Sequence, residues 1–157
     1  MAIIEVKKVN KSYNKKQVLK DINIIFEENK IYGLLGRNGA GKTTLLNLIT
    51  DRAVLDSGEI TVNGENAYEN DNALEKIYFM TERTLYPQDF KVKDIFKWTK
   101  EFYNNFDNGY ALELAKKFSL NINTKIKNLS TGYNSICKII TTLASNAEVL
   151  IFDEPVL

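Results

Sequence analysis

The sequence predicts an α/β fold, and three observations carry the prediction. The first is Gly36-Arg37-Asn38-Gly39-Ala40-Gly41-Lys42-Thr43-Thr44, which has the form G-x-x-x-x-G-K-[ST]. A short apolar run, residues 31–35, precedes it, and an apolar run of helical character, residues 45–49, follows it. Strand, glycine loop and helix in that order make a phosphate-binding loop. The second is the apolar alternation ahead of the loop, at residues 3–9 and at Ile22, Ile24 and Phe26, which reads as an antiparallel layer. The third is Val149-Leu150-Ile151-Phe152, a continuous apolar run ending in Asp153-Glu154-Pro155. Such a strand delivers acids to its C-terminal end, where α/β folds place ligands. The expected fold is therefore a P-loop NTPase core with an N-terminal antiparallel β layer.

The residue types in the loop follow from its task. A triphosphate is strongly anionic, and a tight loop wraps it with backbone N–H groups. Gly36, Gly39 and Gly41 permit backbone angles and a close approach that a Cβ would forbid. Arg37, Asn38, Ala40 and Thr44 complete the nucleotide-binding set. The helix starting near Lys42 adds unpaired N–H groups and the positive end of its dipole. Lys42 is placed to reach the β- and γ-phosphates, and the Thr43 hydroxyl to hold Mg²⁺.

Bulk properties bound the rest. The chain has 157 residues, enough for one domain or for a domain with a small subdomain. Its net charge of +1 offers no electrostatic reason to expect nucleic acid as a partner. The single cysteine, Cys137, excludes an internal disulfide framework and fits a reducing cytoplasm. No apolar run approaches the roughly 20 residues that span a bilayer. Residues 1–7 do not read as a signal peptide, because Glu5 and Lys7 interrupt them at once. With no histidine, neither a His-based triad nor a His-ligated metal site is possible.

Taken in order, residues 3–9 form a strand and the polar stretch 10–16 a hairpin loop. Ile22, Ile24 and Phe26 mark one face of the next strand, and residues 27–30 turn the chain into the strand that feeds the phosphate loop. A helix runs from Lys42 to near Asp51. Residues 56–58 turn into a short strand over 59–62, and Asn63-Gly64 is a strong hairpin signal. Residues 77–80 form a buried strand, and residues 81–89 a loop. From Val92 to Phe106 the spacing is helical, with Ile95, Trp98, Phe102 and Phe106 on one stripe. Core packing accounts for these aromatics, with a docking surface for a partner helix as the alternative. A second helix spans residues 110–118, with Leu112, Leu114 and Ala115 apolar. A third carries Ile136, Ile139, Ile140 and Leu143. There is no internal repeat.

The acidic end of the last strand is chemically distinctive because a phosphate loop lies upstream. Asp153 can bind Mg²⁺, directly or through water. Glu154 would face the γ-phosphate as general base toward the attacking water. Adjacent strand residues point to opposite faces, so the strand must end at Asp153 for both acids to serve one site. Pro155 fits that ending.

Together these residues resemble the ATP-binding subunit of ABC transporters, over the whole chain. Leu129-Ser130-Thr131-Gly132-Tyr133 is similar to the LSGGQ signature of that family, and residues 149–155 to its Walker B motif. Glu82 falls at the position of the Q-loop glutamine, and Tyr13 at that of the aromatic residue that stacks on adenine. The resemblance implies ATP and Mg²⁺ as cofactors, with Lys42 and Glu154 catalytic and Thr43, Glu82 and Asp153 at the metal. It implies that Ser130 and the Gly132 N–H bind the γ-phosphate held by a second ABC ATPase subunit in a head-to-tail dimer. A separate transmembrane permease would dock near residues 82–98, placing the chain in the cytoplasm on the inner face of a membrane. Nucleic acid is not an expected partner. The implied domain contains an antiparallel layer and phosphate-loop core over 1–80, a Q-loop and helical signature subdomain over 81–146, and a Walker B strand over 147–157.

The sequence departs from the family pattern in four places. Tyr133 stands where Gln or Met is usual, and residues 134–136 lack the basic residues often found there. Glu82 replaces Gln, adding negative charge near the metal while still able to ligate it. The chain also stops just after Walker B, short of the family's D-loop, further strands and switch histidine. The expectation is a fragment incomplete at its C-terminus with impaired turnover. The two motif strands would then pair directly, or another chain would fill the gap, or the sheet would keep an unmet edge. The competing functions are a non-transport ABC ATPase acting in DNA repair, chromosome structure or translation, and a nucleotide-binding module without hydrolysis. The short gap between phosphate loop and signature leaves no room for a long coiled coil.

Overall fold

The computed structural model describes residues 1–81, 83 and 85–155. The chain divides into two compact units, Met1–Lys76 and Ile77–Leu157.

The first unit is a four-stranded antiparallel sheet with one helix on it. Its strands are β1 (Ala2–Tyr13), β2 (Lys16–Glu27), β3 (Ser57–Val62) and β4 (Glu65–Asn66), in the order β2-β1-β3-β4. Helix α1 (Lys42–Ile49) packs against β2, and a one-turn helix, α2 (Asp71–Leu74), lies beside β3. Buried apolar residues alternate along β1 at Ile4 and Val6, then skip to Val9. A bulge at Lys8, whose φ is 49°, inserts the extra residue and shifts the register to both neighbours. Gly58 closes onto that bulge. Its φ is +100°, and a Cβ there would stand 2.5 Å from the Lys8 carbonyl oxygen and 2.6 Å from that of Lys7.

Two expectations about this unit are corrected. Residues 10–16 are not a loop: Lys11 pairs with Leu19, Ser12 with Gln17 and Tyr13 with Lys16. Only Asn14 and Lys15 turn, both with positive φ (46° and 66°), the requirement of a tight two-residue hairpin turn. Residues 31–35 join no strand ladder among the described residues. Ile31 is 103% exposed and Leu35 93%. Within the first unit the run therefore stands outside the four-stranded sheet. A parallel strand needs ladder partners on its edges to hold its shape, and Gly33 in the middle weakens the run further. The hairpin at Asn63-Gly64 is present as expected, with φ of 50° and 80°.

The second unit pairs β5 (Ile77–Met80) in parallel with β6 (Val149–Phe152), Ile77 opposite Val149 and Met80 opposite Phe152. Around them lie α3 (Val92–Phe102), α4 (Asn108–Lys117), a 3-10 turn (Ile126–Asn128) and α5 (Thr131–Ala144). α5 packs against α3, α4 and β5. The core joins Val92, Ile95 and Phe96 to Phe106, Ala111, Leu114, Ile126, Cys137 and Ile140.

The single stripe expected on α3 is not present. Its buried face is Val92, Ile95, Phe96 and Thr99, at the i, i+3, i+4, i+7 spacing. Trp98 and Phe102 are 40% and 67% exposed and form an edge-on pair at 5.4 Å. The helix ends at Phe102, four residues short of Phe106, because Asp107 begins α4 by accepting a hydrogen bond from the Tyr110 N–H at 2.9 Å. On α4, Leu114 and Ala115 are buried as expected, with Ala111, while Leu112 faces solvent. Among the described residues no helix is long and apolar enough to cross a membrane.

Gly58→Ala should lower stability by about 2 kcal/mol or more, through the strained φ and the collision with the β1 carbonyls. Chemical denaturation of the two proteins measures it. A second outcome concerns pH. Burial pushes the Cys137 thiol and the Tyr78 phenol up to about 12, from 9.0 and 10.0. Above pH 9 the unfolded chain gives up protons that the native chain keeps, so stability should fall as the pH rises from about 9 to 12. At pH 8 native Cys137 is thiolate at only about one part in 10⁴, so thiol-specific reagents should label it orders of magnitude more slowly than the denatured chain.

Candidate functional site

The phosphate loop in the first unit has the geometry of an anion cradle. All of residues 31–40 are exposed. Gly41 caps α1 at φ 94°, ψ 9°, a left-handed conformation that turns the loop into the helix. Among the described residues no side chain caps α1, and its first turn carries no acid. Its leading N–H groups and the positive end of its dipole therefore open toward the loop. The Ala40 N–H bonds to the Arg37 carbonyl at 3.0 Å, a turn through Asn38 and Gly39 that tightens the rim. The Lys42 ammonium donates to the carbonyls of Gly36 at 2.7 Å and Arg37 at 3.2 Å. It is thus folded over the mouth of the loop, held by neutral acceptors that an anionic oxygen would outcompete. Thr43 is exposed on the first turn of α1, and Thr44 is half-buried behind it.

The antiparallel layer brings Tyr13 to this loop. A Cβ on Gly41 would meet Leu19 Cδ2 at 2.8 Å, Val18 Cγ1 at 3.1 Å and the Val18 carbonyl oxygen at 3.3 Å. The loop therefore lies directly on β2. Along the ladder, Leu19 stands opposite Lys11, and Tyr13 lies two residues further on, opposite Lys16. That places Tyr13 about 7–10 Å along the strands from the point where the loop touches them. Its ring is 45% exposed at the end of the hairpin.

The second unit holds the other sequence-predicted residues. β6 ends at Phe152, and the Asp153 N–H continues the pairing by donating to the Met80 carbonyl at 2.9 Å. Asp153 is buried at 8% exposure, whereas Glu154 is exposed. Glu154 has φ 47°, a left-handed value unusual for a residue other than glycine, and stands before Pro155. The positive φ breaks the strand's alternation immediately after Asp153. Ser130 caps α5, its hydroxyl accepting from the Tyr133 N–H at 3.3 Å. Residues 130–133 are exposed, and a Cβ on Gly132 would meet nothing within 4 Å, so the backbone at this helix N-terminus is open to an anionic oxygen. Glu82 lies outside the described residues.

The residue before Glu82 is fastened to α5. The Lys138 ammonium, on a residue only 8% exposed, donates to the Thr81 carbonyl at 3.1 Å. Further along, burial holds the Tyr86 phenol well above the usual tyrosine range. The sequence did not single out Lys138 or Thr141, whereas Tyr86 stands in the stretch 84–87 that resembles the family's Q-loop region. A lysine between Cys137 and Ile139 on an apolar helix was the available signal, since a cation is buried only with acceptors.

A magnesium ion fits the donor types at hand. The Thr43 hydroxyl in the first unit and the Asp153 carboxylate in the second are each, taken singly, a hard oxygen donor of the type Mg²⁺ accepts beside phosphate and water. Among the described residues no three acids, cysteines or histidines cluster into a metal site of their own. The residues therefore suit an ion that arrives with a phosphate ligand better than a resident one.

Comparisons with known proteins bear on the family and the fold. The family model described as ABC transporter matches residues 19–157. The chain is 31% identical over 153 residues to the ABC transporter ATP-binding protein YtrB of Bacillus subtilis, covering 98% of this chain and 52% of that one. It is 32% identical over 164 residues to the ribose import ATP-binding protein RbsA of Lacticaseibacillus paracasei, covering 97% of this chain and 33% of that one. The chain thus spans about half the length of the first relative and a third of the second. Among solved structures, an ATP-binding subunit of an ABC transporter superposes with a TM-score of 0.87 at 21% identity, over 99% of this chain and 67% of that one. This last likeness bears on the fold, an α/β P-loop NTPase-like domain.

Gly41→Ala should weaken the binding of a nucleoside triphosphate at least about tenfold, because the added methyl both strains φ 94° and pushes the loop off β2. Titration with a fluorescent nucleotide analogue, beside a thermal melt of the same variant, measures the effect.

Proposed function

The chain belongs to the ABC transporter ATP-binding family, and from that membership we propose that it binds ATP with Mg²⁺ and turns it over to power transport across a membrane. The observation that carries the reading is the phosphate loop: a left-handed Gly41 at the start of α1 and the Lys42 ammonium held by the carbonyls of Gly36 and Arg37. That arrangement costs a free chain little to open and rewards a polyphosphate with backbone N–H groups and a cation.

In this reading Gly36 to Thr44 wrap the phosphates, and Lys42 moves from the Gly36 carbonyl to the β- and γ-phosphate oxygens. Tyr13 stacks on the adenine. Thr43, Asp153 and Glu82 would hold Mg²⁺, which when bound neutralises charge on the phosphate oxygens. Glu154 orients the attacking water and accepts its proton. Its positive φ supports that role, because it turns the side chain off the strand direction at the residue after Asp153. The domain organisation proposed is an antiparallel layer with the phosphate-loop core, a helical subdomain bearing the signature, and the strand that carries Asp153.

The partners proposed are a second copy or close relative of this chain, and a separate membrane-spanning permease. Exposure of Ser130 and Gly132 at the N-terminus of α5 supports the first, since it leaves this helix end open to an anionic oxygen brought by another subunit. The exposed Trp98–Phe102 pair on α3 supports the second as a docking surface. The chain would act at the cytoplasmic face of the membrane through that contact.

Lys42→Ala should weaken ATP binding by about 10- to 100-fold, the range for losing charge-assisted hydrogen bonds of roughly 1.5–3 kcal/mol. Glu154→Gln should leave ATP binding intact and lower turnover by about 10²-fold or more. Binding by calorimetry and phosphate release at saturating Mg-ATP test the two separately. Equal turnover in Glu154→Gln and the parent protein removes Glu154 from the mechanism.

A further inference from the structure

The hairpin that carries Tyr13 is held by a contact that the phosphate-loop motif does not include. The Asp56 carboxylate sits at the start of β3 and grips two consecutive residues of β1. One oxygen accepts from the Ser12 N–H at 2.7 Å and the other from the Lys11 ammonium at 3.1 Å. Asp56 is itself fixed, because its own N–H donates to the Asn10 carbonyl at 3.0 Å. The Lys11 side chain is only 14% exposed, and its ammonium lies 5.0 Å from the centroid of the Tyr13 ring. The ring therefore has a cation over one face and is still 45% exposed.

We propose that Lys11 and Asp56 are a positioning pair for the base of the nucleotide: Asp56 holds Lys11 against one face of Tyr13, which leaves the other face to stack a purine. The proposal rests on the reading that Tyr13 stacks the base of a nucleotide held by the phosphate loop. The carboxylate does two jobs. Its bond to the Ser12 N–H fixes the backbone one residue before Tyr13, and its bond to Lys11 keeps the ammonium from swinging into solvent. A cation on one ring face attracts π density toward itself. The opposite face is then poorer in electrons and better suited to an electron-rich purine than a free tyrosine is. A tyrosine in a hairpin with no such clamp would lose ring orientation on binding, and ordering it would weaken the complex. Here it is ordered in advance, in the same unit as the phosphate loop and on the strand pair that the loop touches at Val18 and Leu19.

The test uses the full chain and two ligands, ATP and inorganic tripolyphosphate, the second having the phosphates and no base. Binding of each is measured by displacement of a fluorescent nucleotide, for Lys11→Met, Lys11→Arg, Asp56→Asn and Tyr13→Ala. Lys11→Met and Asp56→Asn should each weaken ATP about threefold to tenfold and leave tripolyphosphate unchanged. Lys11→Arg, which keeps a cation able to lie on the ring, should restore ATP binding to near the parent value. Tyr13→Ala should weaken ATP about tenfold or more, again without effect on tripolyphosphate. If Lys11→Met and Asp56→Asn bind ATP normally while Tyr13→Ala does not, Tyr13 stacks unaided and the pair has no positioning role. A parallel loss of ATP and tripolyphosphate in either variant also overturns it, since the effect then lies in the fold. Unchanged ATP binding in Tyr13→Ala refutes instead the underlying reading of Tyr13.

Discussion

The first unit depends on one close approach, the backbone of Gly41 against β2. There is no room for a methyl group between them: a Cβ would come within 2.8 Å of the Leu19 side chain and 3.3 Å of the Val18 carbonyl. The loop thus rests on the Val18 and Leu19 side chains and on the Val18 carbonyl, so its position follows that of β2. A second glycine, Gly58, repeats the device by pressing β3 onto the bulge at Lys8. The two contacts fall on the middle of β1 and on β2 at Val18 and Leu19, and Tyr13 ends the ladder opposite Lys16, beside the turn at Asn14-Lys15. Two residues without side chains thereby decide where an aromatic ring stands relative to a cluster of backbone donors.

The second unit is organised by α5. One end of this helix presents Ser130 and Gly132 to solvent, and its middle buries Cys137, Ile140 and the polar Lys138 and Thr141. Burying a lysine and a threonine is costly unless each finds acceptors. Here Lys138 finds the Thr81 carbonyl at the end of β5, and Thr141 finds the Cys137 carbonyl one turn back in its own helix. Thr81, at the end of β5, and the helix bearing the signature are thus joined by a polar bond in an apolar surrounding. Such a bond is specific in direction, whereas packing alone would let the two slide.

Motif residues were legible because backbone requirements leave few choices. A left-handed position at a tight approach selects glycine, as at Gly41, and a two-residue turn with two positive φ values selects residues such as Asn63 and Gly64. Core faces were less legible. On α3 the aromatics Trp98 and Phe102 read as core, yet the buried face is Val92, Ile95, Phe96 and Thr99. Hydrophobicity marks a residue as able to be buried and does not say which of two adjacent apolar stripes meets α5. The polar stretch 10–16 read as loop for the same reason, since composition reports solvent exposure and an edge of a hairpin can be polar and fully paired.

Amino-acid order alone settled the phosphate loop, the strand ending in Asp153, and the helix start at Ser130, because each rests on local backbone geometry and short-range spacing. The fate of residues 31–35 was beyond it. That run is apolar enough for a strand, but a strand exists only where another offers its hydrogen-bonding edge, and here Ile31 and Leu35 face solvent. The clamp of Asp56 on Ser12 and Lys11 was also beyond it. Its members lie more than forty positions apart in the chain, and only the pairing of β1 with β3 brings them together.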